Sequence, residues 1–300
     1  MPDAGSTTLT FITATISNAA GSLPALITAS AMAVACAVLS VFVVSRRWAF
    51  IGEGISHSGL GGAGTAWVLA LLFPALDQPW LPYAGVVVFC LATAIGIGYL
   101  SRGQRVNSDA AIGIFMVASL AWGILAQQIY RRARSENPVG FDALFFGRMS
   151  DISPQFAIAA AGVCVAVVIV VLMLGKEILS YCFDPAMAEA SGVAVGFIHY
   201  LLMVLVALTI IVGVKIAGNV LVTALLVLPG ATALLLSDRL RTAITTAVAT
   251  GLAGTLVGLW AGAHWSALPT GPAIVLALFA EFLFFFVIAK VRGLPARASP

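Results

Sequence analysis

From residue 23 to residue 290 the chain is a succession of apolar runs, each near the ~20 residues that a helix needs to cross a bilayer. Short stretches holding the charges, prolines and glycines separate them. Such a chain has no polar surface to spread over a soluble core, since 61% of its residues are hydrophobic and 9% are charged. Inside a bilayer every backbone polar group must be satisfied internally, which leaves helices or a closed barrel. The runs lack the alternating pattern of a barrel strand. The expected fold is therefore all-α, a polytopic membrane helix bundle. Spans are predicted at roughly 23–44, 49–73, 81–100, 110–129, 155–175, 197–214, 219–236, 243–262 and 272–290. That makes about nine, with eight as the alternative count. The ambiguity sits in GVKIAGN, residues 213–219, where two glycines and a lysine fit either a very tight external turn or a broken helix.

Charge sets the orientation. If the loop with Arg46 and Arg47 is inside, alternation also puts Arg102, Arg105, Lys176, Arg239, Arg241, Lys290, Arg292 and Arg297 inside. Arg131, Arg132, Arg134, Arg148 and Lys215 then fall outside. The bias predicts an outside N-terminus and an inside C-terminus. The expected division is an external segment 1–22, a transmembrane domain 23–291 and a cytoplasmic tail 292–300. The first 22 residues carry no Lys or Arg ahead of the apolar run, so a cleaved signal peptide is not expected. Cys36, Cys90, Cys164 and Cys182 are widely spaced, which fits packing residues and neither a disulfide framework nor a cysteine zinc site.

Within the second run, RRWAFIGEGISHSGLGGAG places Glu53 and His57 four residues apart, on one helix face. Ionisable groups at membrane depth are costly, so such a pair is a candidate site. A carboxylate oxygen and an imidazole nitrogen together suit a divalent transition metal. The competing structural reading has Glu53 snorkelling or pairing with Arg47, and His57 bonded to a neighbouring carbonyl. The surrounding glycines allow either close helix approach or a loosened backbone. Ser56 and His57, being adjacent, diverge by about 100° around a helix and cannot act as nucleophile and base for each other.

Two loops look structured. In FDPAMAEASGV, residues 183–193, Asp184 is a good N-cap, Pro185 suits the first helical position and Gly192 a stop, predicting a short cytoplasmic helix. The segment 141–155, FDALFFGRMSDISPQ, is expected to lie on the outer face. Glu281, in mid-span, fits a neutral carboxyl hydrogen-bonded between helices. His199 is expected at the interface, His264 in an external turn, and Asp109 as a helix N-terminal acid.

The order of blocks VFVVSRRWAFIGEGISHSGLGG, DAAIGIFMVASLAWGIL, LFFGRMSDISP, FDPAMAEASGV, GVKIAGNVLVTALLVLPGATALLL and LPTGPAIVL resembles the integral-membrane permeases of manganese, zinc and iron ABC importers. The likeness covers most of residues 35–280. That family usually carries aspartate where Glu53 stands and proline where Gly61 stands. The resemblance implies a translocation subunit in the bacterial plasma membrane. Two permease subunits, the same or related, would pair with two cytoplasmic ABC ATPase subunits and an external metal-binding receptor protein. Glu53 and His57 would form a transient translocation site for Mn, Zn or Fe, with no permanently bound cofactor. Phe183, Asp184, Pro185, Ala190, Ser191 and Gly192 would belong to the element that couples to the ATPase. The chain contains no G-x-x-x-x-G-K-[ST] phosphate loop, so ATP is expected to be hydrolysed by a partner and the chain not to be an enzyme. The alternatives are an ion-gradient-driven secondary metal transporter and an ABC permease for an iron chelate.

Overall fold

The structure, a computed structural model, describes residues 23–102, 106–134, 154–237, 239–265 and 269–291. The segments 1–22 and 292–300, and nearly all of 141–155, lie outside the described residues. Regular structure among the described residues is helical: α1 Leu23–Ser45, α2 Ile51–Leu72, α3 Leu81–Arg102, α4 Ser108–Arg134, α5 Pro154–Met173, α6 Gly175–Phe183, α7 Pro185–Ala190, α8 Val195–Leu236, α9 Leu240–His264 and α10 Thr270–Val291, with one 3-10 turn at Pro74–Leu76.

Residues 213–219 do not form an ordinary loop. Helix α8 runs through them with one break, at Gly218 (φ 77, ψ 175), a conformation that side chains with a Cβ rarely adopt. A Cβ on Gly213 would collide with Val222, so the chain folds sharply there. The two halves, α8a (Val195–Val214) and α8b (Gly218–Leu236), are each long and apolar enough to cross a membrane. Eight such segments occur among the described residues, and α2 is not one of them. Yet α2 has 22 residues, enough for ~33 Å at 1.5 Å per residue, and a regular helix throughout.

Contacts between helices sort the helix ends into two groups. At one end the α1–α2 elbow meets the start of α8 through Trp48 and His199, and Arg102 lies against Gly196. Ala233, near the end of α8b, clusters there with Val41. At the other end Arg134 pairs with Asp77 at 2.7 Å. Helix α2 therefore runs from one end to the other.

Helix α1 packs against α5, α8 and α9, while α2 packs against α3, α4 and α8, so α8 joins the two groups. The elbow between α1 and α2 closes as a Schellman motif, with Arg47 N–H donating to Val44 and Trp48 N–H to Val43. Arg47 holds φ 59 there, a strained position that glycine usually occupies. The glycines of α2 serve close approach without loosening the helix. A Cβ on Gly62 would strike the Gly85 carbonyl of α3, and one on Gly123 of α4 would lie 2.9 Å from the Leu60 backbone.

Candidate functional site

One turn into α2, the Glu53 carboxylate and the His57 ring meet: Oε1 lies 3.0 Å from Nε2. Both are partly accessible, His57 at 20% and Glu53 at 34% of the side chain, so the pair is not sealed in the core. Helix α8b approaches from the far side of the Gly218 break. Thr223 Oγ1 donates to Glu53 Oε2 at 3.0 Å, and Asn219 Nδ2 lies 3.2 Å from His57 Nε2. The approach is close: a Cβ on Gly52 would lie in van der Waals contact with Thr223 Cα and Oγ1, at 3.5 Å. A hydrogen bond to a carboxylate is worth about 1.5–3 kcal/mol, enough to fix one oxygen and leave the other turned to His57. Ser56 takes no part. Its hydroxyl donates to the Glu53 carbonyl within α2 at 3.0 Å.

Among the described residues no third His, Cys, Asp or Glu joins the pair. What completes it is polar and neutral. No local sequence pattern marks Asn219 and Thr223 as site residues. The signal for them is their position just after Gly218 in AGNVLVT.

A matching family model, the ABC 3 transport family, covers residues 21–290. The probable iron transport system membrane protein of Haemophilus influenzae is 31% identical over 89% of this chain and 93% of its own length. The manganese transport system membrane protein MntC of Halalkalibacterium halodurans is 31% identical over 91% of this chain and 89% of its own. Among solved structures, PsaBC from Streptococcus pneumoniae in complex with Fab superposes with a TM-score of 0.73 at 29% identity, over 92% of this chain and 95% of that one. The chain belongs to the ABC 3 transport family. It is a multi-pass protein of the bacterial plasma membrane, an ABC permease by family and by its apolar spans.

The other region singled out in this ABC 3 chain is 183–193. Asp184 caps α7, its Oδ1 accepting from Ala186 and Met187 N–H at 3.0 Å, and Pro185 takes the first helical position. Such a cap contributes about 1 kcal/mol. Gly192, at φ 84, closes the helix: its N–H donates to Glu189 while Val193 N–H donates to Ala188. Ala188 is buried, whereas Phe183, Asp184, Ala190, Ser191 and Gly192 are exposed and Pro185 is partly so. A capped, rigid knob thus projects from the elbow end.

Helix α6, which the predicted spans do not include, ties that knob to the bundle by burying Ile178, Tyr181 and Cys182 on one face. His199, in the first turns of α8, is buried among protein side chains. Its Nε2–H donates to the Gly98 carbonyl at 3.0 Å, since a carbonyl only accepts, and Nδ1 therefore accepts from the Tyr181 hydroxyl at 2.6 Å. Burial pushes the Tyr181 phenol up to about 12, against an opposing pull from Arg46, so it stays protonated and can donate. The Arg46 guanidinium lies 4.4 Å from the Tyr181 ring centroid and 5.5 Å from that of Trp48. Through these contacts α6 and α7 are joined to the elbow that leads into α2.

Glu281, on α10, has an Oε2 atom that is buried without a hydrogen-bond partner among the described residues, contrary to the expected interhelical bond. His264 ends α9, exposed, with its ring stacked on Trp260 at 5.4 Å. Asp109 lies in the first turn of α4, where its charge suits the helix dipole.

Proposed function

We propose that this permease carries a divalent transition metal, manganese, iron or zinc, from an external binding protein to the cytoplasm, with Glu53 and His57 as a transient site on the path. The observation that carries this is their pairing at 3.0 Å on the glycine-rich α2, faced by α8b and left partly exposed. An ionisable pair in such a place has a cost that is hard to account for unless it meets an ion. One carboxylate and one imidazole bind weakly enough to let the ion go, which transport requires. The names of the manganese and iron transport relatives support the cargo class.

In this reading the chain has no ATPase site of its own. Cytoplasmic ABC subunits hydrolyse the ATP, and a second permease, the same or related, completes the pore. The knob 183–193, with Phe183, Asp184, Pro185, Ala190, Ser191 and Gly192, docks on the ATPase. Nine spans, α2 included, put the N-terminus outside and the knob inside. Residues 1–22 are then external, 23–291 form the permease domain and 292–300 the cytoplasmic tail.

Two experiments test it. In proteoliposomes holding the assembled complex and loaded receptor, uptake should require ATP, and His57→Ala should abolish it at parental abundance. Uptake at the parental rate in that variant would remove the site. A cysteine near residue 136 should be labelled by an impermeant reagent from outside and one near residue 187 should not. Reversed labelling would invert the topology.

A further inference from the structure

The contacts around His57 do not balance. Its Nε2 atom sits 3.0 Å from Glu53 Oε1 and 3.2 Å from Asn219 Nδ2. If Nε2 carries the proton it donates to Glu53, and the Asn219 amide then sets a second donor against it. If Nε2 carries the lone pair it accepts from Asn219, and the carboxylate then sets oxygen lone pairs against it. Asn219 is 6% exposed, and its Oδ1 has no partner among the described residues. Buried polar atoms are nearly always bonded, so an orphan beside a mismatched pair calls for an explanation. Turning the amide cures the clash at Nε2, whose proton Glu53 Oε1 and Asn219 Oδ1 can then share, but it leaves Nδ2 in the place without a partner.

A cation satisfies both contacts at Nε2 together and gives the amide oxygen a use, with Nδ2 taking the place that Oδ1 now holds. With the ion between them, Nε2 gives its lone pair, Oε1 gives an oxygen, and the amide turns its unused Oδ1 to the same point. At a metal–donor distance of ~2.1 Å, neighbouring donors of an octahedral site lie ~3.0 Å apart, close to the spacing already present. We propose that Asn219 is the third ligand of the translocation site, through its side-chain oxygen, and that it biases the site toward hard divalent ions such as manganese over zinc. This rests on Glu53 and His57 being that site. Amide oxygens favour manganese-like ions, whereas zinc gains most from nitrogen and sulfur donors. A neutral third ligand also leaves only one negative charge facing the ion, which keeps release open. Gly218, immediately before Asn219, lets α8 bend there and bring the amide across to α2.

The test is uptake of manganous and zinc ions, each supplied as the chloride, by the complete transporter and normalised to assembled complex. Asn219→Leu, similar in volume without polar atoms, should raise the manganese concentration for half-maximal uptake about tenfold or more, the scale seen when an outer-shell partner of a metal site is lost. It should also lower the manganese-to-zinc uptake ratio at least threefold, by the preference of oxygen donors just given. Asn219→Asp keeps an oxygen of the same reach but loses the donor to His57, so it should retain manganese uptake. A structural role for the amide predicts that aspartate fails as leucine does, and that outcome would overturn the proposal. So would an unchanged metal ratio in an assembled Asn219→Leu complex while Glu53→Gln abolishes uptake. If Glu53→Gln itself transports normally, the fault lies with the site reading beneath.

Discussion

Helices α2 and α10 are both 22 residues long, and they solve opposite problems. Helix α10 is apolar nearly all round, and only Ala273, Ile274, Leu278 and Ala289 are buried. Leu276, Phe279, Leu283, Phe284, Phe286 and Val287 face outward. Helix α2 is rich in glycine and serine, carries Glu53 and His57, and buries fifteen of its residues. In a water-soluble protein the more hydrophobic helix would be the inner one. Lipid is as apolar as any side chain, so here apolarity marks contact with lipid, and close packing against protein selects small residues. Helix α2 falls below the apolarity expected of a span because other helices surround it. For the same reason it can hold charged groups.

The contrast can be broken in steps. Gly62→Leu should have the largest effect, because the new side chain would have to pass through the Gly85 carbonyl of α3. Overpacking of this kind costs at least about 1–3 kcal/mol, and assembled protein in the membrane fraction should fall severalfold. Normal abundance would mean that the α2–α3 approach is looser than described. Next come Ala190→Arg and Ser191→Glu, which place bulky charges on the exposed knob and leave the bundle intact. Receptor-stimulated ATPase activity of the reconstituted complex should drop while the chain still inserts. Undiminished stimulation would mean that α7 is only an anchor.

Gly113→Ala should change stability by no more than about 1 kcal/mol, and in the stabilising direction, since alanine is the better helix former. A Cβ at Gly113 meets nothing within 4 Å. Thermal unfolding in detergent measures it, and a loss as large as that of Gly62→Leu would erase the distinction between inner and outer glycines. Smallest of all, Phe284→Leu on the outer face of α10 should leave abundance and uptake unaltered. A clear loss would show that this face meets protein.

How much of this was legible in the sequence follows from the range of the forces involved. Span ends were readable to within a few residues, as in Leu23–Ser45 against 23–44, because apolar length and flanking charge are local properties. The α7 cap was readable as well, since Asp184, Pro185 and Gly192 act on their own neighbours. Helix α6 was not, being a nine-residue amphipathic piece that follows a span almost without a break. The burial of His199 depends on Tyr181 and on Gly98, the latter 101 residues away, and no local pattern announces either. Asn219 and Thr223 reach α2 across 162 and 170 residues, through a fold at Gly218 that the sequence left as turn or broken helix. The pair at Glu53 and His57 could be picked out because their spacing is helical and both are unusual at that depth.

Two carboxylates test the account most directly. Glu53 on α2 has two side-chain partners and is partly exposed, while Glu281 on α10 has an oxygen buried without a partner, near Gly254. The measurement is manganese uptake per assembled complex for Glu53→Gln and Glu281→Gln, side by side with the parent. Losing a ligand should cost at least the ~100-fold upper end for losing an outer-shell partner, so Glu53→Gln should fall by that much and Glu281→Gln should stay within about twofold. Parental uptake in Glu53→Gln with loss in Glu281→Gln would contradict the assignment of the path to α2 and α8b.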